Sequence, residues 1–179
     1  MGEGDKMLHN IETIVCAEYS TCVSIDVIRH YMQNAISFLY PSTRPLNLSI
    51  LVTNNKNIAQ LNNDFRGIPE STDVLSFAPN DSNTSNTNLD VFDQLVADQL
   101  GDIVISYEEI RKQSLIYKQA EEEVLSFLLI HGLLHLSGYD HATSIEKKEM
   151  QKQETALLHH LNISSKIVAE MYDSERLKG

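Results

Sequence analysis

The chain has little cysteine, little positive charge and no long apolar run, and each shortage narrows what it can be. Cys16 and Cys22 are its only cysteines. Their spacing suits neither a redox pair nor a zinc clip, so both read as reduced packing residues. Lysine and arginine number 14 against 25 aspartates and glutamates, a formal net charge of −11. That balance argues against a surface that grips nucleic acid non-specifically, although it leaves room for a local basic site in one cleft. The longest apolar stretch, "VLSFLLIHGLLHL" from Val124 to Leu136, is too short to span a bilayer and contains two histidines, so a buried core helix is expected instead. The amino-terminal "MGEGDK" lacks an apolar signal core and has Lys6 where a myristoylation signal needs Ser or Thr. A soluble, cytoplasmic protein without a membrane partner is the expectation. No internal repeat is visible.

With 179 residues, 42% of them hydrophobic, the chain is long enough to bury roughly 70% of its unfolded surface as one domain over residues 1–179. "ETIVCAEY" (12–19) has the β-branched character of a first strand. Ser24 or Asp26 caps a helix running to about Tyr40, with Val27, Ile28, Tyr31, Met32, Ala35, Ile36 and Leu39 as its apolar stripe and Pro41 at its end. "LNLSILVT" (46–53) reads as a strand. Asn54 or Asn55 then opens a helix with Ile58, Leu61 and Phe65 at helical spacing, stopped by Gly67. "DVLSFAP" (73–79) and "GDIVIS" (101–106) are further strands, and the polar stretch between them, about 80–98, reads as a mobile surface loop. Two consecutive helices follow through Leu136. Thr143-x-x-Glu146 is a capping box for a last helix to about Leu161, with Ile145, Met150, Ala156, Leu157 and Leu161 facing inward. The expected fold class is α/β (α+β): a small mixed sheet of about four strands covered by about five helices. The apolar helix from Glu121 to Leu136 lies at its centre.

Two histidines on that helix are the anomaly. His131 and His135 stand four apart, which puts both imidazoles on one helix face within reach of one ion. Gly138 supplies the residue type that lets the chain reverse, and His141 returns three residues later. The pattern H-x3-H-x5-H has the spacing of a three-histidine zinc site with an open fourth position, as in HExxHxxGxxH. Buried imidazoles among leucines need partners, because unpaired they cost several kcal/mol. Gly132 departs from that signature, since zinc proteases carry there the glutamate that takes a proton from metal-bound water. Glycine inside a helix costs about 1 kcal/mol relative to alanine, which suggests a close approach to the backbone. The expectation is that Gly132 makes room for a bulky substrate group such as a phosphodiester.

"HGLLHLSGYDH" (131–141), with "FRGIPESTDVLSF" (65–77) and "GDIVIS" (101–106), closely resembles the YbeY-type bacterial rRNA maturation factors. The motifs occur in that family's order and the resemblance covers about residues 45–160. Ala78 stands where the family usually has proline, and the loop near 81–100 looks longer than usual. The resemblance implies a metal-dependent single-strand endoribonuclease, acting in small-subunit rRNA 3′-end processing and ribosome quality control. It implies one Zn2+ on His131, His135 and His141, with His131 and Arg66 in catalysis and Arg66 also binding substrate. It further implies rRNA, the small ribosomal subunit and its assembly proteins as partners. Physics agrees about Arg66: a planar, always-charged fork holds phosphate oxygens in two places.

Asp140 is a candidate to accept a hydrogen bond from a ligand imidazole, or else it caps the turn. Asp73 fits a turn at a strand start at least as well as catalysis. His159 and His160 read as a solvated pair at a helix end, and His9 and His30 have no functional spacing. Arg44, Arg111, Lys112 and Lys118 are further candidates for local positive charge. Two routes stay open at this level, attack on phosphorus by metal-bound water or by the RNA 2′-hydroxyl. Two rivals stay open as well. One is a metzincin-like protease, which lacks its glutamate. The other is a structural-metal assembly factor, in which Asp140 or a cysteine closes the fourth position.

Overall fold

A computed structural model describes residues 8–41, 44–79 and 98–176, with side chains through residue 172. The loop expected near 80–98 lies, apart from Asp98, outside the described residues. Four strands form one mixed sheet: β1 (Asn10–Val15), β2 (Asn47–Thr53), β3 (Val74–Phe77) and β4 (Gln99–Ser106), in the order β1-β2-β4-β3. β1, β2 and β4 run parallel, and β3 pairs antiparallel with β4, Val74 opposite Ile105 and Phe77 opposite Asp102. Six helices are described: α1 (Ile25–Leu39), α2 (Asn55–Arg66), α3 (Tyr107–Tyr117), α4 (Glu121–Leu136), α5 (Ser144–His160) and α6 (Lys166–Arg176). The result is a single α/β domain with its sheet between two helical layers.

Strand alternation sorts side chains between those layers. Leu48, Ile50 and Val52 of β2 and Ile103 and Ile105 of β4 join the large core formed with α1, α4, α5 and α6. Val104 and Leu75 point the other way and pack with Ile58 of α2 in a smaller cluster. α4 is buried over most of its circumference, including Leu125, Leu128, Leu129, Leu133 and Leu134, as an all-round apolar helix must be. The caps fall where the residue types ask for them. Ser24 accepts from Val27 N, Asn54 from Asn57 N, and Thr143 with Glu146 closes a capping box on α5.

Several expectations shift. The first strand ends at Val15 and a short 3-10 turn, Ala17–Tyr19, replaces its second half. Cys16 is half-buried and donates to Thr53 Oγ1 at 3.3 Å, but Cys22 is exposed and is not the buried packing residue expected. Phe65 is exposed despite its helical spacing, resting against Phe77 with ring centroids 4.9 Å apart. On α5 the inward residues are Met150, Glu154, Leu157 and Leu158, whereas Ile145 and Ala156 face solvent. Met150 and Leu157 point inward as expected and the partly buried Leu161 packs against the core, while Glu154 and Leu158 join that face in place of Ile145 and Ala156. α6 was not anticipated from the sequence, yet Ile167, Val168 and Tyr172 on it are all buried.

Candidate metal centre

The site is built at the carboxyl end of α4. Its last turn is closed by Tyr139 N donating to Leu134 O and Gly138 N donating to His135 O, with Gly138 at a φ of 88°. That left-handed residue turns the chain back on itself, which a side chain at this position would resist. His141 therefore returns beside the two helical histidines. Ring centroids lie 4.7 Å apart for His131 and His135, 5.3 Å for His131 and His141, and 5.1 Å for His135 and His141. One nitrogen from each lies within 4.8 Å of the others, and the Nε2 atoms of His131 and His135 are 3.1 Å apart. Tetrahedral ligands at the usual zinc–nitrogen length stand about 3.3 Å from one another, so these spacings suit a single small cation. Among the described residues the cluster comprises these three donors.

Electrostatics agrees with the geometry. Burial pushes the His135 imidazole down to about 4, and repulsion from His131 and His141 adds to this against smaller upward effects of Asp140 and the Tyr139 backbone. A ligand must be unprotonated to bind a cation, and His135 is held in that form at neutral pH.

The histidines open into a cleft of about 500 Å³ lined also by Arg66, Thr72, Asp73, Ser76, Phe127, Asp140 and Met171. Arg66 reaches it from the last turn of α2, just before Gly67, whose φ of 71° ends the helix. Its guanidinium is exposed and donates to the Ser76 carbonyl of β3 at 3.4 Å, so the predicted arginine and the predicted ligands face one cleft. Asp73 lines the same wall but is fully engaged. It accepts from Val74 N, Thr72 Oγ1 and, at 2.7 Å, Gln113 Nε2, the work of a brace at a strand start. Asp140 takes the turn role: its Oδ1 accepts from His141 N at 2.7 Å.

The carboxylate that meets a histidine of the cluster is one that the sequence reading missed. Glu154 of α5, fully buried, accepts from His131 Nδ1 at 2.8 Å and from the Tyr172 hydroxyl at 3.1 Å. Its four-residue step from Met150 on an inward helix face was the available signal. The remaining histidines stay outside. His9 accepts from Leu46 N through Nδ1 as a buried structural group, His159 bonds Ser165, and His160 stacks on Phe38. The other candidate cations are paired or peripheral to the cleft: Arg44 with Asp98, Arg111 with Glu121, Lys112 with Glu109, and Lys118 at the end of α3.

Gly132 corrects the reading placed on it. It is buried and faces β4, where an added Cβ would lie 3.1 Å from Ile103 Cγ2. The close approach is real, but the approaching group is the sheet and not a substrate.

The family model described as endoribonuclease YbeY matches residues 16–162. The chain belongs to the YbeY family. Relatives named endoribonuclease YbeY include one from Fusobacterium nucleatum, 40% identical over 65% of this chain and 68% of its own length. Those from Shouchella clausii and Exiguobacterium are 41% and 35% identical, over 74% and 82% of this chain and 80% and 91% of their own lengths. The solution structure of a Thermotoga maritima protein shares the fold at a TM-score of 0.54 and 19% identity, covering 94% of this chain and 95% of that one. Among the described residues no helix is long and apolar enough to cross a membrane.

Proposed function

We propose that this family member is a zinc-dependent single-strand endoribonuclease of rRNA maturation, acting at the 3′ end of small-subunit rRNA and in ribosome quality control in the cytoplasm. The observation that carries the reading is the cleft itself, in which three imidazoles that could hold one metal ion share a lining with Arg66. The endoribonuclease names of the relatives supply the substrate class. His131, His135 and His141 are the residues that would hold the metal. Bound there, Zn2+ supplies Lewis acidity and lowers the pKa of water toward about 7.

The chain's own residues do the rest. Arg66 binds non-bridging phosphate oxygens and stabilises charge as it builds on phosphorus, with the Ser76 carbonyl aiming its guanidinium across the cleft. His131, which lines the same cleft, shares the catalytic assignment with Arg66. Asp73 accepts from Gln113 at the start of β3, the strand whose Ser76 carbonyl meets Arg66. Position 132 faces the sheet and carries no carboxylate, so the residue that a zinc peptidase uses as its proton acceptor is missing here. The small ribosomal subunit and its assembly proteins act as docking partners that add specificity.

The test combines metal analysis with cleavage of single-stranded RNA by wild type, His131→Ala and Arg66→Ala. The expected result is loss of metal and cleavage in the first variant, and retained metal with cleavage down about 10²–10³-fold in the second. Undiminished cleavage in both would overturn the assignment.

A further inference from the structure

We propose that Glu154, held in turn by Tyr172, is the positioning residue of His131, and that α6 thereby becomes part of the metal centre. The proposal rests on the metal reading of the histidine cluster. Neutral imidazole has one N–H. With Nδ1 donating to Glu154 Oε1 at 2.8 Å, the lone pair falls on Nε2, the atom 3.1 Å from His135 Nε2. The carboxylate thus selects the tautomer and fixes the ring plane that the cluster requires.

The burial of Glu154 argues that this is more than packing. It is 0% exposed, lies on the same helix face as the buried Met150, Leu157 and Leu158, and its Oε2 has no partner among the described residues. A buried carboxylate with an unsatisfied oxygen is costly, and leucine would serve a core better. What offsets the cost is positive charge on the far side of the imidazole, which a dication held at Nε2 provides.

Tyr172 supplies the second contact, its hydroxyl donating to the same Oε1 at 3.1 Å. It sits on α6, whose Ile167 and Val168 anchor that helix in the core. The residues matched to the family end at 162, before α6 begins. A segment beyond that match therefore completes the support of the first ligand.

The test uses the full-length metal-free protein, titrated with Zn2+ against a chromogenic chelator, for wild type, Glu154→Gln and Tyr172→Phe. Glu154→Gln keeps the shape and removes the charge. Its Zn2+ affinity should fall about 10–100-fold while the urea midpoint of the metal-free protein holds or rises. Tyr172→Phe removes one hydrogen bond and should weaken Zn2+ about two- to tenfold. Two-bond 1H–15N spectra of the metal-free wild type should show His131 as the Nδ1–H tautomer. Wild-type affinity in Glu154→Gln, or an affinity loss matched by lost metal-free stability, overturns the positioning role, as does an Nε2–H tautomer. Wild-type affinity in Tyr172→Phe removes α6 from the centre. RNA cleavage is not read, so failure of the nuclease assignment would leave these outcomes intact.

Discussion

Replacing Gly132 by alanine separates packing from chemistry at the position where the sequence departs from a zinc protease. A new Cβ would stand 3.1 Å from Ile103 Cγ2, 3.2 Å from Cδ1 and 3.3 Å from Cγ1, inside ordinary van der Waals contact. Ile103 is 0% exposed in the middle of β4 and has nowhere to swing. Overpacking of this kind costs about 1–3 kcal/mol. Against it stands about 1 kcal/mol of helix propensity gained when alanine replaces glycine. The net expectation is a loss of roughly 0–2 kcal/mol in urea unfolding, with Zn2+ content and RNA cleavage by the folded protein unchanged.

A second substitution tests the contact itself. Ile103→Val alone should cost about 0.5–1.5 kcal/mol by deleting Cδ1. Combined with Gly132→Ala it removes the Cδ1 contact at 3.2 Å, so the double variant should be more stable than the sum of the singles by about 0.5 kcal/mol. Strict additivity would refute the Cδ1 share of the contact. A Gly132→Ala protein more stable than wild type yet poor in cleavage would refute the placement, because it would put position 132 against substrate.

The remaining predictions concern acid, products and binding. Burial holds the His9 imidazole below its ordinary value, so the unfolded chain takes up that proton first as pH falls. Stability present above pH about 6.5 should therefore be lost progressively below it, with a shallower acid slope in His9→Gln; an unchanged slope sinks the attribution. End-group analysis of early RNA products decides between the routes: a 2′,3′-cyclic phosphate marks attack by the 2′-hydroxyl, and its absence marks attack by water. Chelation of the metal should weaken RNA binding, and not only cleavage, by at least about tenfold, and equal affinity of the two forms would contradict this.

Much of the fold was legible because its signals are local. Ser24, Asn54 and Thr143 cap helices through their own side chains, and Gly67 ends α2 at a φ of 71°. The two helical histidines need only a period of 3.6 to share a face, and Gly138 needs only its freedom at positive φ to bring back the third. What escaped depends on distant partners. Nothing near Gly132 in sequence names Ile103, 29 positions earlier, as its neighbour. Glu154 lies 23 residues from His131 and looks like one more charge on a polar helix until α5 is rotated to its true face. Phe65 carries the right spacing, but α2 packs on the sheet through Ile58, and Phe65 in its last turn stays exposed.

The charge balance of the cleft explains why binding should follow the ion. Among the described residues that line it, Arg66 is the one lysine or arginine, and Asp73 and Asp140 are the carboxylates. With the three imidazoles neutral, as ligands must be, the formal charge is one positive less two negative. A cleft of that sign repels a phosphodiester, in a chain whose net charge of −11 already does so at long range. With the buried Glu154 carboxylate behind His131 counted as well, the balance is minus two, and a dication brings it to zero while putting positive charge where the phosphate must sit. An acidic protein can thus hold RNA in one spot without attracting it everywhere. Under the proposed function, selectivity then lies in short-range contact rather than in a basic surface.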